Sequence, residues 1–298
     1  MNYHWDFLRR NSSIIAILLA GISWGCISLF VRHLNACGMT SPQLVIVRSW
    51  GGALMMGGFL AARSREKFRI RWRDLWMFAG TGIVSLFFFN FCYFYVISHG
   101  YAAVGGVLLY TSPAFILLIS ALLFHEKITH RKLMALFLTL LGCVLISGLC
   151  TQSQRIPMRV LANGIGAGFL YALYSIFGKF ALRRYDSMTV TFYTFLCCAV
   201  ACLFSGNLSS TFEVIKALPE EVIPWGVGFA FFSAALPYFF YTWGLQRTSA
   251  GRAAILVAVE PLVCAVLGMC VYGEAHSPMR VFGVVCILFA ILTLSRSE

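Results

Sequence analysis

Charge is what this sequence has least of. Only 11% of its 298 residues are Asp, Glu, Lys or Arg, where a soluble domain carries about a quarter. A chain this poor in charge cannot cover a water-facing surface, so a soluble globular protein is excluded. Asp occurs only at Asp6, Asp74 and Asp186, none inside a long apolar run, which excludes an intramembrane aspartic protease. The histidines, His4, His33, His99, His125, His130 and His276, fall in tails or near the ends of runs. That removes a membrane-embedded zinc site of the His-Glu-x-x-His kind. A serine nucleophile with a histidine base finds no placement, and no phosphate-binding loop appears, so neither hydrolysis nor direct ATP drive is expected. No cofactor is expected.

What is present is apolar: 60% of residues are hydrophobic and mean hydropathy is +0.82. Ten runs approach the roughly 20 residues that a spanning helix needs: 13–33, 42–62, 76–98, 102–124, 131–149, 160–181, 188–206, 224–246, 252–272 and 278–295. They are too long and too uniformly apolar for the alternating strands of a β-barrel. Residues 1–10 hold Trp5, Asp6, Arg9 and Arg10, and no cleavage site follows, so a removable signal peptide is not expected. Most of the eleven cysteines, including Cys26, Cys92, Cys197, Cys198, Cys264 and Cys286, sit inside the runs without paired-ligand spacing. They read as small apolar residues, not as disulfides or metal ligands.

The net charge of +12 does not indicate nucleic acid, because the basic residues stand in short loops, where they set orientation. With the N-terminus in the cytoplasm, inside segments hold 17 Lys and Arg and outside segments 5, with Arg48 inside a run, which accounts for all 23. Both termini are therefore expected in the cytoplasm. The longest outside loop spans 207–223 and carries Glu213, Glu220 and Glu221.

The chain repeats itself at an offset of 148: Gly80 meets Gly228, Ser85 Ser233, Tyr93 Tyr241, Pro113 Pro261 and Glu126 Glu274. Pro and Glu are scarce here, so their matches carry weight. At an offset of 147, Gly21 and Ser28 meet Gly168 and Ser175. The expected fold is an all-α integral membrane protein of ten transmembrane helices in two five-helix repeats, 13–149 and 160–295, joined by an outside linker at 150–159. An odd number of spans inverts the second repeat, an arrangement common among carriers with a midplane site. Thr129 and Ser277 suit the N-caps of each half's last helix, with Pro278 at the first helical position.

The segments YTSPAFILLISALLFHEKIT (110–129) and AVEPLVCAVLGMCVYGEAHS (258–277) resemble the EamA-type signature of the drug/metabolite transporter superfamily. Each has a proline within its half's fourth helix and an acid 13 positions later. SPQLVIVRSW, with Arg48, resembles the family too. Phe195 stands where a second Arg48 would fall, so any role of Arg48 is asymmetric. The resemblance spans 13–295. It implies a ten-helix carrier of small organic molecules in the cytoplasmic membrane, usually working outward. It also implies a cavity lined by the third, fourth, eighth and ninth helices, with the first and sixth contributing.

Several residues could carry chemistry. Pro261 lacks an amide hydrogen and clashes with the carbonyl of Val257, so it should bend or loosen the ninth helix; Pro113 should do the same to the fourth. Such bends serve as hinges or as static kinks. Glu260 lies about 12 Å into the bilayer from Arg252 at 1.5 Å per residue. There it binds a substrate amine, relays a proton or forms a static pair. Its counterpart is Ser112. Arg48 lies about 9 Å in from the other side, to pair with Glu260, bind a substrate carboxylate or snorkel outward.

Asn90, Tyr93, Tyr110, Tyr238, Tyr241 and Trp243, with Trp24, Tyr171 and Tyr174, are candidates to line a cavity that stacks flat or cationic solutes. The bland alternative for them is helix packing or the membrane interface. Glu126 and Glu274 end their helices against the dipole and read as structural anchors, with Lys127, His130 and Arg131 as local partners for Glu126. GISWG (21–25) and GIGAG (164–168) allow close helix contact.

The expected function is secondary export of amino acids, other metabolites or amphipathic drugs by alternating access. A membrane enzyme, a lipid-handling protein and a passive channel are the alternatives. The expected partners are a small-molecule substrate, membrane lipid and, as a candidate coupling ion, the proton, in a monomer or weak dimer of the bacterial cytoplasmic membrane.

Overall fold

The computed structural model describes residues 2–99, 102–148, 156–273 and 278–295. Among them the regular structure is helical and no strand occurs. The helices are α1 (Asn2–Gly25), α2 (Ile27–Ala36), α3 (Ser41–Arg63), α4 (Leu75–Ala79), α5 (Phe88–Ser98), α6 (Ala102–Leu109), α7 (Ser112–Phe124) and α8 (His130–Ser147). They continue as α9 (Met158–Leu182), α10 (Ser187–Cys202), α11 (Leu208–Ala217), α12 (Pro219–Ala230), α13 (Leu236–Leu245), α14 (Ala250–Leu256), α15 (Val259–Tyr272) and α16 (Pro278–Ser295).

Eight stretches of the described residues are long and apolar enough to cross a membrane: Ser12–Ala36, Ser41–Arg63, Trp72–Ile97, Val104–Phe124, His130–Ser147, Met158–Leu182, Pro219–Leu245 and Ala250–Val271. They fall on eight of the ten runs read from the sequence. The other two, the seventh and tenth, coincide with shorter apolar helices, Ser187–Cys202 and Pro278–Leu294. At 1.5 Å per residue these reach about 25 Å, just short of the hydrocarbon thickness.

The 207–223 loop needs correction. It is mostly helix: α11 fills Leu208–Ala217, and the eighth span starts at Pro219, five residues before the expected 224, with Pro224 inside it. Pro219 stands in the first turn of α12, where it costs no hydrogen bond. Thr129 caps α8 as expected, its hydroxyl accepting the Lys132 amide at 3.3 Å; Ser277 lies outside the described residues.

Packing joins the two parts of the chain throughout. α1 packs on α13 and α15, and α9 on α5, α6 and α7. α3 packs on α10 and α8 on α16. Numbered by the ten apolar runs of the sequence, and called spans by that number below, these are one with eight and nine, six with three and four, two with seven, and five with ten.

Glycine makes the central crossings possible. A Cβ on Gly21 would stand 2.7 Å from the Val257 carbonyl, and one on Gly25 2.9 Å from the Glu260 carbonyl. On α9 a Cβ at Gly168 would stand 2.8 Å from the Leu108 carbonyl. The two glycine stripes thus rest on the backbone of spans nine and four at corresponding places.

Spans three and eight each contain a stretch of wide π turns, Gly80–Phe87 and Phe231–Ala235. The offset of 148 carries the second stretch onto 83–87, within the first. A π turn misaligns carbonyls that an α-helix would satisfy. In span eight the first span supplies the donors: Ser23 Oγ donates to the Phe232 carbonyl at 2.7 Å and Trp24 Nε1 to the Ser233 carbonyl at 3.2 Å.

Candidate functional site

The proline of span nine does more than bend it. α14 ends at Leu256 and α15 begins at Val259, with Pro261 at its third position. The Val257 carbonyl, which a proline cannot serve, accepts the Glu260 amide at 3.1 Å instead. Ala258 N–H turns back to Ile255 at 3.1 Å. A new helix N-terminus is thereby made inside the bilayer, and Glu260 sits in its first turn, where the dipole favours a carboxylate. The sequence predicts a bend; the structure gives an interruption, and this accounts for an acid beside a proline.

Span four is interrupted at the matching place. α6 ends at Leu109 and α7 starts at Ser112, with Pro113 in its first turn. Thr111 fills the gap, its amide and hydroxyl both donating to the Leu108 carbonyl, at 3.1 and 2.6 Å.

Both interruptions open on one small cavity. Tyr110, Ser112 and Pro113 line it from span four, Tyr171 from span six, Tyr241 from span eight, and Val257 and Glu260 from span nine. Its volume is about 10 Å³, the room of about one water.

An aromatic cluster stands beside the cavity. Tyr238 meets Trp24 at 4.9 Å, Tyr174 at 5.1 Å and Phe195 at 4.9 Å, each edge to face. Tyr241 lies 5.6 Å from Trp24 and shares a 2.8 Å hydrogen bond with Ser175. Tyr93 stacks on Phe89 at 5.4 Å, and Phe89 meets Tyr171 at 5.5 Å.

Arg48 turns into this cluster rather than out to the interface. Its guanidinium donates to the Tyr238 hydroxyl at 2.8 Å and stands 5.4 Å from the ring centroid. Phe195, which replaces it in the second half, packs on the same ring. Among the described residues Arg48 and Glu260 form no direct ion pair. One polar atom stands out: the Tyr174 hydroxyl is buried and has no partner. Leaving such a group unpaired costs about 1–3 kcal/mol.

Of the residues singled out from the sequence, Trp24, Arg48, Tyr93, Tyr110, Tyr171, Tyr174, Tyr238, Tyr241, Glu260 and Pro113 gather here, and Pro261 is buried at the break. Two do not. Asn90 donates back to the Leu86 carbonyl and lines a separate groove of about 510 Å³ with Pro42, Val45, Phe91 and Phe94. It and Tyr93 therefore face different spaces. Trp243 lies at the end of α13 with the Arg247 guanidinium 3.8 Å from its ring.

Glu126 holds a structural position, but with partners other than the local ones expected. Its carboxylate accepts the amides of Ala250 at 2.9 Å and Gly251 at 3.4 Å, and so caps α14. Lys127, His130 and Arg131 are neighbours in a basic vestibule of about 1010 Å³, not its ion-pair partners. Glu274 lies outside the described residues. Sequence reading missed Phe89 and Phe195, whose signal is only an aromatic at a position facing a tyrosine.

The profile of the EamA-like transporter family matches this sequence over residues 11–148 and 158–296. The chain belongs to the EamA-like transporter family. Like other EamA-like proteins it is a multi-pass transporter of the cell membrane, with a small-molecule substrate and a lipid surround. Its family and relatives point to a transporter, not an enzyme. The pseudopaline exporter CntI of Pseudomonas aeruginosa (strain UCBPP-PA14) is 26% identical over 298 residues, covering 98% of each chain. A transporter of Archaeoglobus fulgidus is 25% identical over 285 residues, covering 94% of this chain and 95% of that one. A solved crystal structure superposes with a TM-score of 0.76 at 17% identity, over 95% of this chain and 96% of its own. That likeness concerns the fold alone.

Proposed function

We propose that this EamA-like protein is a secondary exporter of small organic solutes, and that its preferred class is zwitterionic, amino-acid-like molecules. One observation carries the reading: Glu260 lines the small central cavity, Arg48 stands on the aromatic cluster beside it, and these two ionisable groups deep in apolar spans are not paired to each other. Buried ionisable groups are costly and mark solute pathways. In the proposed site Arg48 takes a carboxylate, Glu260 takes an ammonium, and the rings of Trp24, Tyr171, Tyr238 and Tyr241 hold the apolar part. The unpaired Tyr174 hydroxyl offers one more hydrogen bond. Outward direction is supported by similarity to a relative named as an exporter.

The proposed mechanism is alternating access. Ten spans form two inverted five-helix repeats, 13–149 and 160–295, with both termini in the cytoplasm. The breaks in spans four and nine act as hinges, and Pro113 and Pro261 keep them from re-forming continuous helix. A central space of about 10 Å³ supports a carrier in a closed state over an open channel. Glu260 is the proposed proton-coupling carboxylate.

The test is counterflow in proteoliposomes, following a thermal-shift screen of amino acids, monoamines and monocarboxylates. Glu260→Gln should weaken amine-bearing solutes and flatten the pH dependence of flux. Arg48→Lys should weaken carboxylates. Unchanged flux and pH dependence in Glu260→Gln would rule out both roles given to that residue.

A further inference from the structure

The far end of α2 carries a second constellation, apart from the central site. His33 stands on α2 and Cys37 at its C-cap, one turn on, so both project to the same side. Glu221 stands in the first turn of α12, which packs along α2. His33 Nε2 is 3.3 Å from Glu221 Oε2, and Cys37 Sγ is 3.8 Å from the same oxygen. The three ligand atoms lie within 4.8 Å of one another.

The N–O and S–O separations are close to the edges of a tetrahedral metal site. Zinc bonds of about 2.0–2.1 Å to nitrogen and oxygen and about 2.3 Å to sulfur give edges of about 3.3 Å for N–O and about 3.6 Å for S–O. A plain His–Glu ion pair would aim the imidazole N–H at the carboxylate. Here Nε2 is buried and makes no hydrogen bond, although the oxygen is 3.3 Å away. The imidazole is thus not aimed at the carboxylate as a donor, the Cys37 thiol reaches the same oxygen, and the 3.3 Å spacing suits two neighbours around a common point. Trp225, one turn after Glu221, stacks on the His33 ring at 4.0 Å and 20° and fixes its plane.

We propose that His33, Cys37 and Glu221 bind a divalent transition-metal ion of the zinc class, with the fourth position left to water. One imidazole, one thiolate and one carboxylate form a mixed donor set suited to such borderline ions and poorly suited to calcium or magnesium. The ion would tie the end of span one to the start of span eight, two of the spans that wall the central site.

Cobalt(II) is the probe, added to the untagged, reduced, full-length protein in detergent. The expected result is a thiolate-to-cobalt absorption band that saturates at one ion per chain and is bleached by zinc. Cys37→Ser should lose the band. His33→Gln and Glu221→Gln should each weaken binding about tenfold or more, with the melting temperature of the metal-free protein unchanged. Zinc should raise the melting temperature of the parent protein and not that of Cys37→Ser. No band in the folded parent protein, or a band that persists in Cys37→Ser, would overturn the proposal.

Discussion

The glycines of span six offer an internally controlled test of how the broken helices are held. Three of them, Gly164, Gly166 and Gly168, stand within five residues on α9. A Cβ at Gly166 meets only Cys92 Sγ at 3.8 Å, an ordinary contact. At Gly164 it meets the end of the Leu108 side chain, which a rotamer change can move, and Leu108 Cβ at 3.0 Å, which it cannot. At Gly168 it meets Thr111 Oγ1 at 2.4 Å and the Leu108 carbonyl at 2.8 Å. The Leu108 carbonyl is backbone, already held by the Thr111 amide and hydroxyl, and cannot move aside without opening the break in span four.

Alanine gains about 0.8–1 kcal/mol over glycine in a helix interior, while forced overpacking costs about 1–3 kcal/mol. Gly166→Ala should therefore be neutral or stabilising, and Gly164→Ala should fall between it and Gly168→Ala. Gly168→Ala should be destabilising by about 0–2 kcal/mol after the two effects offset, and it should also slow transport. Thermal unfolding of the purified protein, read by intrinsic fluorescence or light scattering, ranks the three. If Gly166→Ala proved as damaging as Gly168→Ala, the glycine contact with the span-four break would not be the cause.

Other substitutions probe other parts of the account. Tyr238→Phe keeps the ring contacts with Trp24, Tyr174 and Phe195 but removes the acceptor of Arg48; a hydrogen bond to a charged group is worth about 1.5–3 kcal/mol, so melting should fall. A double-mutant cycle with Arg48→Leu should show that the two losses do not add. Glu126→Gln keeps an acceptor for the Ala250 amide and should cost less than Glu126→Ala, for which about 0.5–2 kcal/mol is expected from loss of a cap; unfolding curves of the pair decide. Asp74, buried and accepting from Arg184 and from the Tyr185 hydroxyl at 2.7 Å, joins the start of span three to the end of span six. Asp74→Asn should destabilise by about 1–2 kcal/mol, less than a fully buried pair because Arg184 is half exposed.

Much of this was legible in the sequence because it depends on local chemistry. Apolar run length locates the spans, and Pro113 and Pro261 announce the two breaks, whereas Pro224 sits inside α12 without ending it. The coincidence of Pro113 with Pro261 and of Gly21 with Gly168 at nearly one offset points to matched crossings. What the sequence hides is set by partners far along the chain. The π turns of span eight lean on Ser23 and Trp24, 209 residues away. Glu126 finds its cap at Ala250, 124 residues on, rather than among the basic residues beside it. Asn90 and Tyr93 stand three residues apart on α5, yet Asn90 lines a separate groove and donates back to the Leu86 carbonyl, which spacing does not reveal. α11 reads as loop from the sequence because it is half polar and far short of span length, yet it buries Thr211 against the bundle.

The central claim is that the interruptions of spans four and nine wall one site reached in turn from both sides of the membrane. Ser112 is buried, lines that cavity and corresponds to Glu260, and cysteine is its near-isosteric replacement. In a background with the eleven native cysteines removed, Ser112→Cys would be exposed to a membrane-impermeant thiol reagent from each side of oriented proteoliposomes. The account predicts labelling from both sides, slowed on both by a transported solute. Labelling from one side only, or from neither in a transport-competent protein, would contradict it.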